Sequence, residues 1–132
     1  MRSFLLALPI LLAAGSFASA EGLDDCGGST VEMTKCVWDH YQAVDEELND
    51  VWKQALGVVA SNGDLPADKV QEWKDHLIAA EKAWITFKEE DCNGAVAYEW
   101  YGGTGANAAV GTCLYAHTTA RISELRDRYL NR

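Results

Sequence analysis

The side chains able to do chemistry here are carboxylates, three histidines and four cysteines, and their spacing limits what each can do. Carboxylates dominate, with 20 Asp+Glu in 132 residues. Two of them held a few ångströms apart can act as acid and base on a glycosidic bond. Clusters such as Asp45-Glu46-Glu47 and Glu89-Glu90-Asp91 arise at this density from composition alone, so no pair stands out. His40, His76 and His117 fall on separate segments with no i, i+4 spacing between any two, which offers no helical metal site. His117 is expected to be partly buried and hydrogen-bonded. The run Gly102-Gly103-Thr104-Gly105-Ala106-Asn107 has the glycines of a phosphate cradle, but no Gly-Lys-Ser/Thr follows it and no strand precedes it. It reads as a turn between helices. No Gly-x-Ser-x-Gly or Ser-x-x-Lys context activates a nucleophile. The expectation is a protein that binds rather than catalyses, without cofactor or metal.

The cysteines are Cys26, Cys36, Cys92 and Cys113. An even number in a small exported domain reads as two disulfides. Neither Cys-x-x-Cys nor the usual His/Cys spacing of a zinc site occurs. Four cysteines allow three pairings, and Cys26–Cys36 with Cys92–Cys113 is preferred because each joins the end of one element to a nearby segment.

Three elements must position these groups. The first starts near Ser29 or Thr30, either of which can cap it, and carries an apolar stripe Val37, Tyr41, Val44, Leu48, Val51, Ala55, Val59 at alternating three- and four-residue steps. Ser61-Asn62-Gly63-Asp64 stops it. Pro66 opens the second, whose stripe is Val70, Trp73, Leu77, Ala80, Trp84 and Phe87, with Asp91 next in the same rhythm and an extension towards Tyr101 that Gly94 weakens. The third runs from about Ala108 to Tyr129 with Val110, Leu114, Thr118, Arg121, Leu125 and Tyr129 on one side. Nothing reads as a strand. The predicted fold is all-α, a small antiparallel bundle of three long helices with two disulfides.

Two polar residues fall on or beside these stripes, Asp45 on the first helix and Arg121 on the third. They are expected to meet as a structural ion pair that sets helix register. Trp100 and Tyr101 abut the glycine turn, and with Thr104 and Asn107 they are the candidates for binding a partner.

At the front, Arg2 precedes an apolar run from Phe4 to Phe17, followed by Ala18-Ser19-Ala20. That is the pattern of a signal peptide over residues 1–20, leaving residues 21–132 as one helical domain. Cys26 lies too far from the expected cleavage point to carry a lipid, so no membrane anchor is expected after cleavage. Losing Arg2 leaves 10 Lys+Arg against 20 Asp+Glu, a formal charge of −10. Such a chain is repelled by nucleic acid and attracted to a basic protein partner.

The run Leu77-Ile78-Ala79-Ala80-Glu81-Lys82-Ala83-Trp84-Ile85-Thr86-Phe87-Lys88-Glu89-Glu90-Asp91-Cys92 resembles the central signature of the LprI-like family. Met33-x-x-Cys36 followed by Asp45-x-x-Leu48-Asn49 is similar to its first helix. Gly102-Gly103, Cys113-Leu114 and Thr118-x-x-Arg121-x-x-x-Leu125 are similar to its third. This chain has Glu81 where the family has Gln, and Lys82 and Lys88 where it has Arg, and lysine lacks the fork of arginine. The resemblance implies a bacterial protein exported to the periplasm or cell envelope, and an inhibitor of lysozyme-type enzymes. The alternative is a non-enzymatic envelope or secretion-system accessory with another protein partner.

Overall fold

A computed structural model describes residues 22–131, so the expected signal peptide over residues 1–20 lies outside the described residues. Helix α1 spans Thr30–Ala60, α2 spans Ala67–Glu89 and α3 spans Ala106–Leu125. Helix α2 continues through a π-helical stretch, Glu90–Val96, and a last α turn, Ala97–Glu99, while α3 closes with a π-helical turn, Arg126–Leu130. The all-α bundle of three helices with two disulfides is therefore the observed fold.

Local chemistry fixes where the helices begin. Ser29 caps α1: its Oγ accepts the Glu32 N–H at 3.3 Å while Glu32 Oε2 accepts the Ser29 N–H at 2.9 Å. This reciprocal box satisfies two backbone donors that the first turn leaves without partners. The hydroxyl and then the N–H of Ser29 hold the Glu32 carboxyl below its ordinary value. Between α1 and α2, Asn62 Oδ1 accepts the N–H groups of Asp64 and Leu65, each at 3.1 Å, and so turns the chain.

Cross-helix contacts give the topology. Trp38 meets Asn107 and Glu47 meets Arg126, so α1 and α3 run parallel. Tyr41 meets Lys88 and Glu81 meets Arg121, so α2 runs against both. Helix α1 packs most extensively on α3. The main core joins Leu48, Val51, Ala55 and Val59 of α1 to Leu77 of α2 and to Ile122, Leu125 and Tyr129. A smaller cluster of Cys92, Val110 and Leu114, covered by Trp38 and Tyr41, fills the other end. Each valine, leucine or isoleucine withdrawn from water in these clusters stabilises the fold by roughly 1.5–3 kcal/mol.

The third-helix stripe is buried at every expected position, from Val110 through Thr118 and Arg121 to Tyr129. The second-helix stripe differs. Ala80 and Phe87 are exposed, and the inward places go to Glu81 and Lys88, one residue later in each case. The reason is that both charged heads find partners inside, while their methylene stems line the apolar seam.

Gly111 of α3 faces Val37 and Trp38 of α1 with no room for a side chain. A Cβ there would lie 2.8 Å from Val37 Cγ1 and 3.2 Å from Trp38 Nε1. Val37 is itself buried, and its short branched side chain has little freedom to give way. Gly111→Ala should gain about 1 kcal/mol of helix propensity but lose about 1–3 kcal/mol to overpacking. The expected net result is a lower midpoint in urea unfolding. A variant more stable than the parent would show that this helix contact is loose.

Candidate functional site

The polar groups buried between the helices form a seam that holds α2 in place. Arg121, on the inner face of α3, donates from Nε at 2.9 Å and from Nη2 at 2.6 Å to Glu81 Oε2. Its Nη1 donates to Glu124 Oε2 at 2.7 Å, and Arg128 approaches the other oxygen of Glu124 at 3.2 Å. Burial opposes the charge on Arg121 more than any other single effect. The bonds to Glu81 and Glu124 together outweigh it and hold the guanidinium above its ordinary pKa. At Glu124 burial likewise pushes upward, but Arg121 and then Arg128 prevail and hold the carboxyl below its ordinary 4.5.

The expected pairing of Asp45 with Arg121 is not what the structure shows. Asp45 faces Lys88 instead, at 3.8 Å. The antiparallel course of α2 places Glu81 beside Arg121 and Lys88 beside Asp45, so each residue takes the nearer partner of opposite sign. Lys88, with its side chain 5% exposed, also donates to Tyr41 Oη at 3.3 Å. Its ammonium lies 5.4 Å from the Tyr41 ring centroid and 5.2 Å from that of Trp84, whose ring also lies 5.7 Å from Arg121 Cζ. Cation–π contact of this kind strengthens as water is excluded. These groups line a cleft between α1 and α2, but they serve first to fix α2.

The opposite kind of surface forms where the α2 extension turns into α3. Trp100 packs its ring against the glycine turn, and a Cβ on Gly105 would lie 2.6 Å from Trp100 Cζ3. The glycine is what lets the indole lie flat on the backbone. Trp38 anchors the turn from below by donating Nε1–H to the Asn107 carbonyl at 3.1 Å. Above this base, Tyr101 is 85% exposed and stacks on Tyr98, 76% exposed, with ring centroids 6.1 Å apart. Thr104 and Asn107 join Thr30, Val31, Thr34 and Lys35 around an open groove of about 630 Å³. All four sequence candidates, Trp100, Tyr101, Thr104 and Asn107, therefore sit at one end of the bundle. Val31 and Tyr98 were missed by the sequence reading. Each is a large apolar residue off its helix stripe, and that was the available signal.

Both disulfides reinforce this end. Cys26 is joined to Cys36 at the start of α1, and Cys92 on the π-helical stretch to Cys113 on α3. His117, partly buried, lies 2.8 Å from Asp91 through Nε2 and meets the exposed Phe87 edge-on at 5.2 Å. His40 lies 3.4 Å from Asp25 and packs edge-on to Tyr115. No helix among the described residues is long and apolar enough to cross a membrane.

Residues 24–125 match the profile of the family described as Lysozyme inhibitor LprI. No curated protein and no solved structure matches the chain.

Two expectations follow from the seam. Arg121→Gln leaves Glu81 buried without its counter-charge and should cost about 3–5 kcal/mol in denaturant unfolding; a loss below about 1 kcal/mol would mean that water already reaches the pair. Glu32 and Glu124 both have folded pKa values below their unfolded ones. Their contribution is thus complete above about pH 4.5 and is lost as pH falls through the folded values. Melting temperature should drop over that acid range, less steeply in Glu124→Gln than in the parent.

Proposed function

This chain belongs to the family of lysozyme inhibitor LprI, and from that premise we propose that it is an exported binding protein that occludes a lysozyme-type enzyme with the aromatic end of its bundle. The observation carrying this reading is the exposure of Tyr98, Trp100 and Tyr101 on the turn into α3, at the same end of the bundle as the groove that Val31, Thr104 and Asn107 line, on a frame braced by two disulfides. Large aromatic side chains left in water at 85% and 76% exposure lose hydrophobic free energy that a partner would recover. Tyrosine and tryptophan are also the side chains that most often anchor interfaces, because they bring much area with few rotors to freeze.

Electrostatics supports the same partner class. The chain carries a formal net charge of −9. A basic enzyme is drawn to such a surface from beyond contact distance, which raises the association rate more than the final affinity. Its active-site carboxylates would repel the acidic body more than a tip built mainly of tyrosine, tryptophan, threonine and asparagine, where Glu99 is offset by Lys35 at the groove. The protein thus acts as a plug, steered by charge and seated by aromatic contact, with no reaction of its own. Its working place in this reading is the periplasm or the outside of the cell, where the enzyme attacks and where disulfides persist.

The test is a titration of a basic lysozyme with purified protein at low and high salt. Inhibition should weaken as salt rises, because screening shortens the reach of the charges. The double variant Trp100→Ala, Tyr101→Ala should lose roughly 30-fold in potency, the scale of one interface hot spot, with its helix content unchanged. Full lysozyme activity at a large molar excess of the parent in low salt would sink this reading and leave the envelope-accessory alternative.

A further inference from the structure

The two disulfides share one frame. Asp91 precedes Cys92 and His117 follows Cys113 by four residues, while Asp25 precedes Cys26 and His40 follows Cys36 by four. The four-residue step puts Cys113 and His117 on one face of α3, and Cys36 and His40 on one face of α1. Folding closes both frames. Asp91 Oδ2 lies 2.8 Å from His117 Nε2 and 3.9 Å from Cys113 Sγ, and Asp25 Oδ1 lies 3.4 Å from His40 Nε2. In each quartet the four ligand atoms all lie within 4.8 Å of one another. Chance placement of an Asp–His pair beside one disulfide is unremarkable in so acidic a chain. The same order of residues closing in the same way at both disulfides is a second, independent instance.

We propose that in the dithiol state of the chain each quartet binds a zinc ion, with two cysteine thiolates, one histidine and one aspartate as its ligands. Zinc takes sulfur at about 2.3 Å and nitrogen or oxygen at about 2.0–2.2 Å in a tetrahedron, whose edges are then roughly 3.3–3.8 Å. The ligand atoms lie within 4.8 Å of one another, so once the sulfurs part from their bonded 2.01 and 2.02 Å, side-chain rotation alone has to bring the four onto those edges. The cysteine Cα atoms stand 5.5 Å apart in both pairs, which leaves both sulfurs within reach of one ion.

A dithiol reductant gives two electrons and two protons to the protein disulfide, which becomes two thiols, and the reductant leaves as its own disulfide. Zinc then displaces the two thiol protons to solvent and enters between His117 Nε2 and Asp91 Oδ2, in place of their hydrogen bond. The imidazole binds as its neutral form, with its hydrogen on Nδ1. The quartet around Cys92 is the stronger site. Cys92 is fully buried and Asp91 and His117 are partly buried, whereas Asp25 of the other quartet is 72% exposed. Every chain is made with free thiols before oxidation, and a zinc-held pair would keep each cysteine beside the partner it later bonds. Thiolates held in this way do not pair across the two frames.

Anaerobic titration of the phosphine-reduced protein with Co²⁺ tests this, because cobalt takes the zinc site and reports its ligands by absorption. The expected result is two ions per chain, with thiolate-to-cobalt charge-transfer bands and intense tetrahedral d–d bands that zinc displaces. The oxidised protein should show neither. His117→Ala and His40→Ala should each remove one tight equivalent, weakening that site at least tenfold, and zinc should raise the helix content of the reduced protein over that in chelator. Absence of the charge-transfer bands overturns the proposal. So do bands left unchanged by both histidine substitutions, since thiolates of an unfolded chain would then be the ligands. The double variant Cys26→Ser, Cys36→Ser isolates the quartet around Cys92, and failure of that form to bind one cobalt ion also overturns it.

Discussion

A guanidinium buried to 7% exposure needs a counter-charge, and the position of that counter-charge decides where α2 can lie. Glu81 supplies it through one oxygen that accepts from both Nε and Nη2 of Arg121. Helices α1 and α3 already form a tight parallel pair through Leu48, Val51, Ala55, Ile122 and Leu125. The contact of α2 with that pair is less extensive, and Glu81 and Lys88 interrupt the apolar face it makes with Leu77, Trp73 and Trp84. A buried ion pair contributes little net stability against a hydrophobic replacement, yet breaking it by removing one partner is costly. Its value here is in register: sliding α2 by one turn would strand Arg121, Glu81 and Lys88 together.

That register carries through to the far end of α2. With Glu81 fixed, Lys88 falls between Tyr41, Trp84 and Asp45, and Cys92 falls against Cys113. The π-helical stretch Glu90–Val96 sets the direction of the last turns. Trp100 then lands on the glycine turn, with Tyr98 and Tyr101 outward. The surface that presents aromatics to a partner is thus set by polar contacts well below it on the same helix.

The sequence told most where side chains obey a simple period. The stripes of α1 and α3 are mostly apolar, and every expected position on them is buried or partly buried, Arg121 included, although the inner face of α3 is wider than its stripe and also takes in Tyr115 and Ile122. The face of α2 was not legible in this way. Its inward positions include Glu81 and Lys88, so a reading by hydropathy slid by one residue to Ala80 and Phe87, which are exposed. The same slip hid the true partner of Arg121, because Glu81 was not placed on the inner face. Cysteine order and the glycine turn did locate the candidate end, since covalent and backbone constraints are local. The pairing of each histidine with an aspartate was beyond reach, because it depends on how two helices are rotated against each other.

The two ends of the bundle solve different problems, and this explains the placement of the covalent links. At one end eight buried residues form the main core, and no disulfide is found there. At the other, Cys92, Val110 and Leu114 form a smaller buried cluster among the described residues, and Tyr98, Tyr101 and Val31 point outward instead of adding to it. An end that leaves its large apolar side chains in water gives up several kcal/mol of burial. Closing the loop between Cys92 and Cys113 restores roughly 3 kcal/mol in the chain-entropy estimate, and the shorter Cys26–Cys36 loop adds to it. Cross-links that stabilise without consuming apolar surface are what a small domain needs if the same end must be rigid and still have aromatic side chains free to bind.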